Sequence, residues 1–179
     1  MNKRTSAVIF LVLFTTFLMS QSWVFAYKDN EHTRSSLQGL KGVCVFVEFS
    51  TSEIMDLNKM GLSEEVIKTD VELQLRMAGI NVVSKEGVHK LPGLPQLGVT
   101  IAGWSGGSKG IAFSINIFLA QYTYLERDPK LKVLANTWER SYIGLGYTDR
   151  DIKNQFRNLT KDGVDGFINA YLLVNPKKM

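Results

Sequence analysis

Between Ile111 and Glu126 the chain alternates almost without fault. Ile111, Phe113, Ile115, Ile117 and Leu119 take every second position. Ala112, Ser114, Asn116, Phe118, Ala120, Tyr122 and Tyr124 take the positions between them. A period of two over this length fits an extended strand, because a helix would scatter these side chains around its axis. One side is purely apolar and the other mixed, so the run calls for a sheet with one covered face. Arg127-Asp128-Pro129-Lys130 then reads as a turn, and Val133–Tyr147 as a returning strand. A long antiparallel hairpin is predicted.

The remaining elements arrange themselves around that hairpin. Gly42–Ser50 (GVCVFVEFS) is β-branched and aromatic, hence a strand. Ser63 is a good N-cap for a helix whose first turn carries Glu64 and Glu65, negative charges at the positive end of its dipole. Ile67, Val71, Leu75 and Ala78 form its buried stripe, and Gly79 supplies the left-handed residue that stops it. Ile80–Ser84 reads as a short strand parallel to Gly42–Ser50. Leu97–Gly103 reads as a further strand, followed by a glycine-rich connection over Trp104–Gly110. Asp149 is placed to cap a last helix with Ile152, Phe156, Leu159, Gly163, Phe167 and Tyr171 on one side, ended by Asn175-Pro176. The expected fold is α+β: one domain, a mostly antiparallel sheet of four to five strands in the order β-α-β-β-β-β-α, and two helices on one face.

The N-terminus carries a different message. Lys3 and Arg4, the apolar run Ala7–Phe14 and the ending Val24-Phe25-Ala26 form the three-part pattern of a secretory signal peptide cut after Ala26. The expected organisation is a signal peptide over 1–26, a flexible polar leader over 27–40 and a single domain over 41–179. The 179 residues hold 21 bases and 17 acids. Removing two of the bases with the signal leaves a net charge of only +2, too little for a nucleic-acid footprint. No further stretch is long and apolar enough for a membrane span. The mature product is expected in the periplasm or secreted.

The order of elements resembles the α/β domain at the N-terminus of TolB-type periplasmic proteins, and is similar to the curli-secretion and penicillin-binding-protein-activator lipoproteins of that architecture. The residues that carry the likeness are Gly42–Phe49, the helix from Glu64 to Leu75, and Ala78–Val83. The resemblance implies an envelope assembly or protein-contact module with no catalytic residues to carry over. A lipid-bearing cysteine is missing here, since Cys44 lies inside a strand-like run rather than at the mature N-terminus.

Enzymatic signatures fail on their own chemistry. Gly103-Trp104-Ser105-Gly106-Gly107 matches G-x-S-x-G, yet a nucleophile elbow needs a helix after the serine, and a strand follows here. Both histidines, His32 and His89, precede Ser105, so no downstream base is available. Ser108-Lys109-Gly110 lacks the ending of a phosphate loop. Two distant histidines and one cysteine give no zinc spacing. No catalytic residue, metal or cofactor is assigned. Cys44, with no partner for a disulfide, reads as a small buried hydrophobe.

What remains is a surface. With the hairpin tip at Asp128-Pro129, Tyr122 pairs with Asn136, Ala120 with Trp138, Phe118 with Arg140 and Asn116 with Tyr142. All of these then point away from the apolar row. Trp104, Phe118, Tyr122, Tyr124, Trp138, Arg140 and Tyr142 become candidate binding residues, with Trp138 and Tyr122 as anchors, because Tyr, Trp and Arg are enriched in contact surfaces. The plainer account is ordinary cross-strand pairing. The functional expectation is an exported, non-catalytic envelope protein that binds another envelope protein. The alternative is a periplasmic carrier of a small apolar or aromatic ligand held between sheet and helices, and a serine hydrolase on Ser105 stands behind both.

Overall fold

The computed structural model describes residues 30–51, 57, 61–105 and 110–176. The expected signal segment 1–26, the first residues of the expected leader, most of 52–60 and residues 106–109 of the glycine-rich stretch lie outside the described residues. In chain order the elements are α1 (Glu31–Ser35), β1 (Cys44–Thr51), α2 (Glu64–Met77), α3 (Lys85–Val88), β2 (Gln96–Ser105), β3 (Ile111–Leu125), β4 (Asp128–Gly146) and α4 (Asp149–Val174). The four strands form one sheet in the order β1-β2-β3-β4. β1 and β2 are parallel, and β2, β3 and β4 follow as antiparallel neighbours. The class is α+β, and the two long helices α2 and α4 pack on one face of the sheet.

Local chemistry explains the helix starts. Ser63 accepts a hydrogen bond from the Val66 N–H, and Glu64 and Glu65 occupy the first turn of α2. The Glu64 carboxylate also accepts the Phe49 N–H at 2.9 Å, tying the helix start to the outer edge of β1. Gly79 takes φ +82°, the left-handed conformation that ends the helix. The cap of α4 is Thr148, one residue before the expected Asp149; its hydroxyl accepts from the Asp151 N–H.

Two segments differ from the sequence reading. Ile80–Ser84 is not a strand. It makes a single parallel bridge, Val43 to Val82, and Ser84 instead caps the one-turn helix α3 by accepting from the Gly87 N–H. The parallel partner of β1 is therefore β2, reached through α2 and α3. The second half of the leader is built in rather than free. Asn30 and Thr33 form a reciprocal capping box for α1, and Leu37 is fully buried in the core. Asn175, at the end of α4, accepts the Gly39 N–H and donates to the Leu37 carbonyl, fastening this segment to the last helix.

The core lies between sheet and helices. Val45, Leu97, Val99, Ile101, Phe113, Ile115, Ile117 and Leu119 face Ile67, Val71 and Leu75 of α2 and Ile152, Phe156, Val164 and Phe167 of α4. Phe113 meets Phe156 edge to face at 4.6 Å, and Trp138 meets Phe167 the same way at 5.2 Å. α4 approaches the sheet closely at Gly163, where a Cβ would collide with Ile117 and crowd the Tyr142 ring. Apart from its glycine hydrogens, that position has no spare volume.

Candidate contact surface

Face assignment on the hairpin follows from register. From Ile111 to Leu119 the pairs are Ile111 with Gly146, Phe113 with Gly144, Ile115 with Tyr142, Ile117 with Arg140 and Leu119 with Trp138. Paired residues share a face, so Trp138, Arg140 and Tyr142 lie on the helix-covered side with the apolar row. Beyond Leu119 the register shifts: Ala120 pairs with Asn136, Tyr122 with Leu134 and Tyr124 with Lys132. Thr137 is the extra residue, a β-bulge that reverses which face the following side chains take. Its backbone and hydroxyl are held. Gln121 donates to the Thr137 hydroxyl at 2.9 Å and to the Ser36 carbonyl at 3.2 Å, and Ser36 donates to the Thr137 carbonyl at 3.1 Å.

Three of the seven candidate residues are thereby corrected. Trp138 is fully buried and Tyr142 only 4% exposed; both are core, and Trp138 is not a surface anchor. Arg140 is half-buried with its guanidinium laid against Gly166 of α4 and 5.7 Å from the Tyr142 ring. The physical reason is double. The tip is Glu126-Arg127, since Leu125 pairs with Asp128, and the register slips again across Pro129, which has no N–H to give to the ladder. The Asp128 carboxylate fills the gap by accepting the Lys130 N–H. Burial pushes the Tyr142 hydroxyl above the ordinary tyrosine range, against the opposing pull of the neighbouring Arg140 guanidinium.

The other four lie on the open face. Trp104 is 58% exposed, Tyr122 40% and Tyr124 61%. Phe118 is half-buried. It stacks edge to face on Phe46 at 5.7 Å across Gly98, and a Cβ on Gly98 would sit 2.5 Å from both rings. Phe46, Gly98 and Phe118 are opposite one another in register, so this aromatic pair covers a glycine in the middle strand. Lys132 lies 4.6 Å over the Tyr122 ring.

Register also reveals residues that sequence spacing did not single out. Ile143 pairs with Ser114, Leu145 with Ala112 and Leu134 with Tyr122, so all three point to the open face, and each is more than half exposed. Between these apolar ends runs a polar row of Glu48, Thr100, Asn116 and Ser141, directly opposite one another on the four strands. The signal for Ile143 and Leu145 was their alternation with Gly144 and Gly146; what hid it was the bulge.

The edges of the sheet are partly blunted. Gln155 donates to the Leu145 carbonyl at 3.0 Å, and Ser36 covers the Thr137 carbonyl of the same strand. Asn81 accepts the Val43 N–H on the opposite edge. Helical carriers of charge are paired at the surface. Arg157 binds Asp70 at 2.8 Å between the two long helices, and Lys161 binds Asp165 at 2.7 Å within α4, which holds the lysine above its ordinary range.

The remaining candidate features fall as follows. Cys44 is buried, and desolvation raises its thiol above the ordinary range. Ser105 ends β2 and β3 follows, without the helix an elbow uses. His32 lies in α1 and His89 at the end of α3, both exposed. No group of three metal-capable side chains occurs among the described residues, and no helix among them is long and apolar enough to cross a membrane. The layer between sheet and helices is filled by fully buried side chains. A groove of about 290 Å³ lies instead between α2 and α4, lined by Ile67, Val71, Leu73 and the Asp70–Arg157 pair. Thr160, also in its lining, is buried with its hydroxyl unpartnered.

Comparison with known proteins adds no relative: no family model, no curated protein and no solved structure matches the chain.

Proposed function

We propose that this protein is an exported, non-catalytic assembly module of the cell envelope, and that it binds protein through the open face of its sheet. The observation that carries the reading is the placement of Trp104, Tyr122, Tyr124, Leu134, Ile143 and Leu145, all 40% exposed or more, on the one face that no described helix covers. A solvated sheet face favours Thr, Lys and Glu, whereas exposing large rings forgoes roughly 25 cal/mol for each Å² of apolar surface left in water. A protein partner would recover that free energy, with aromatic anchors at the centre and polar groups at the rim. The polar row of Glu48, Thr100, Asn116 and Ser141 offers hydrogen bonds that fix the partner's orientation. The proposed route out of the cytoplasm is the Met1–Ala26 signal.

The test is crosslinking and recovery of partners from the native envelope. Trp104→Ala with Tyr124→Ala is expected to weaken recovery about tenfold or more, some 1.4 kcal/mol, with the melting temperature unchanged. Undiminished recovery from the double variant would overturn the reading. N-terminal sequencing of the exported product tests the compartment: Tyr27 is expected as its first residue, and an intact Met1 on a cytoplasmic protein contradicts export.

A further inference from the structure

We infer that the outer edge of β4 receives an extended segment of a partner protein as an added antiparallel strand. The segment carries a carboxylate opposite Arg140, a basic residue opposite Glu139 and an apolar one opposite Ile143. This rests on the reading of the chain as one that binds protein, and it names a second site and the partner's chemistry there.

The first observation is the backbone. In an antiparallel ladder the N–H and C=O of one residue point to one side, and those of the next to the other. The Tyr122 N–H reaches the Gly93 carbonyl on the β2 side, so the odd-numbered residues Ile111 to Leu119 turn their backbone groups toward β4. Arg140, Tyr142 and Gly144 answer them, which leaves Glu139, Ser141 and Ile143 with N–H and C=O directed out of the sheet. Both ends of this window are closed: the Thr137 carbonyl accepts the Ser36 hydroxyl, and the Leu145 carbonyl accepts the Gln155 amide. Between them no backbone bond among the described residues takes up the outward groups, and Glu139, Ser141 and Ile143 are half-buried or exposed. The β1 edge is different. Val43 is bonded through its N–H and C=O to Asn81 and Val83, the Phe49 N–H goes to Glu64, and Val45 between them is 1% exposed. A row of free edge groups is matched by one chemistry, an extended polypeptide backbone.

The second observation is Arg140. It stands on the helix-covered face of this edge strand, half-buried, and its Nε has no hydrogen-bond partner among the described residues. A charge beneath an edge strand rejects an indiscriminate neighbour, because pairing would bury it uncompensated. A carboxylate on the incoming strand removes that cost. Arg140 turns its own backbone groups to β3, so the position facing it outside is a non-hydrogen-bonded pair, where side chains come closest. Antiparallel register sets the rest. The residue after the carboxylate faces Glu139, and the residue three before it faces Ile143.

Fluorescent synthetic peptides and the purified protein make the test. TTVTTEKT meets the pattern, whereas TTVTTKET sets Lys against Arg140 and Glu against Glu139. Fluorescence anisotropy should show the first bound about tenfold more tightly or better. Hydrogen exchange with TTVTTEKT present should protect the Glu139, Ser141 and Ile143 amides and leave those of β1 unchanged. Ser141→Pro removes an outward N–H where an edge strand tolerates proline. It should weaken binding about tenfold or more, with circular dichroism checking the fold. Glu139→Lys should reverse the preference of the native protein for TTVTTEKT over TTVTTEET, an outcome that loss of folding does not imitate. Equal binding of TTVTTEKT and TTVTTKET, undiminished binding to folded Ser141→Pro, or an unreversed preference in Glu139→Lys overturns the inference. If TTVTTEKT does not bind, yet Trp104→Ala with Tyr124→Ala still loses partner recovery, strand addition is excluded and the contact-face reading stands.

Discussion

Trp104 and Trp138 sit in the same sheet and do opposite work. Trp138 is sealed beneath α4 against Phe167, with no exposed surface, whereas Trp104 leaves more than half of its surface in solvent on the far side. The same division runs through the whole hairpin: Tyr142 is core, Tyr124 is surface. Nothing in the residue types separates the two sets. What separates them is register: Trp138 and Tyr142 stand opposite Leu119 and Ile115 of the apolar row, whereas Trp104 stands opposite Ala112 and Tyr124 opposite Lys132 on the other face. The lesson is that an aromatic residue on a strand acquires its role from register, and register depends on bulges and turns whose own residues are polar and unobtrusive.

The largest effect that could break this comparison is a truncation on each side. Trp138→Ala should cost about 3–5 kcal/mol of stability, as large aromatic truncations in a packed core do. Trp104→Ala should stay within about 0.5 kcal/mol. Chemical denaturation of both variants decides it; equal losses would mean that the faces are not distinct. Close packing supplies the next test. Gly163→Ala pushes a methyl group into Ile117 and should destabilise by about 1–3 kcal/mol. A neutral result would show that α4 stands further from the sheet than described.

The bulge itself can be probed through Gln121, whose amide serves both Thr137 and Ser36. Gln121→Ala should cost about 1–2 kcal/mol by leaving those groups short of a donor. It should also speed hydrogen exchange around Thr137, while the Ile111–Leu119 ladder stays protected. Smaller still is the effect at Cys44. Its thiol should react slowly with a labelling reagent in the folded protein, being both buried and held in the protonated form. Cys44→Ala should cost about 1 kcal/mol.

Tyr142→Phe sharpens the comparison most finely. Its folded-state hydroxyl titrates above the ordinary value of 10.0 because of burial, so the native state favours the protonated form. Stability from this group is complete below that value and declines as pH rises through it and toward the folded value. The phenylalanine variant should lose this alkaline decline. At neutral pH the change should stay within about 1 kcal/mol, since the buried hydroxyl has only the Arg140 guanidinium beside it. Urea midpoints at neutral and alkaline pH make the comparison.

Much of the architecture was legible in the residues. The Ile111–Leu119 alternation, the Ser63 cap with its acidic first turn, the stripe Ile67-Val71-Leu75 and the stop at Gly79 all act within a few residues, so local chemistry suffices to read them. Ile80–Ser84 misled because INVVS has strand propensity, while its fate was decided by Ser84 capping a helical turn and by β2 taking the place beside β1. The leader looked flexible because its composition is polar, although one residue, Leu37, commits it to the core and Asn175 holds it from the far end of the chain. Phe118, Tyr122 and Tyr124 were placed on the open face from the alternation of their own strand, whereas Trp104, read as part of the glycine-rich connection, belongs to β2. Trp138, Arg140 and Tyr142 were misplaced because their facing depended on counting back from a turn that contains Pro129 and across a bulge at Thr137. Both features are long-range in effect and a single residue in cause.

The most direct measurement is oxidative footprinting of the purified protein with and without native envelope extract, read residue by residue in a mass spectrometer. The account predicts that Trp104 and Tyr124 are oxidised in the free protein and protected in extract. Met77, 79% exposed on α2, should be oxidised equally in both. Protection of Met77 with Trp104 and Tyr124 left reactive would contradict it, and would move the working surface to the helices.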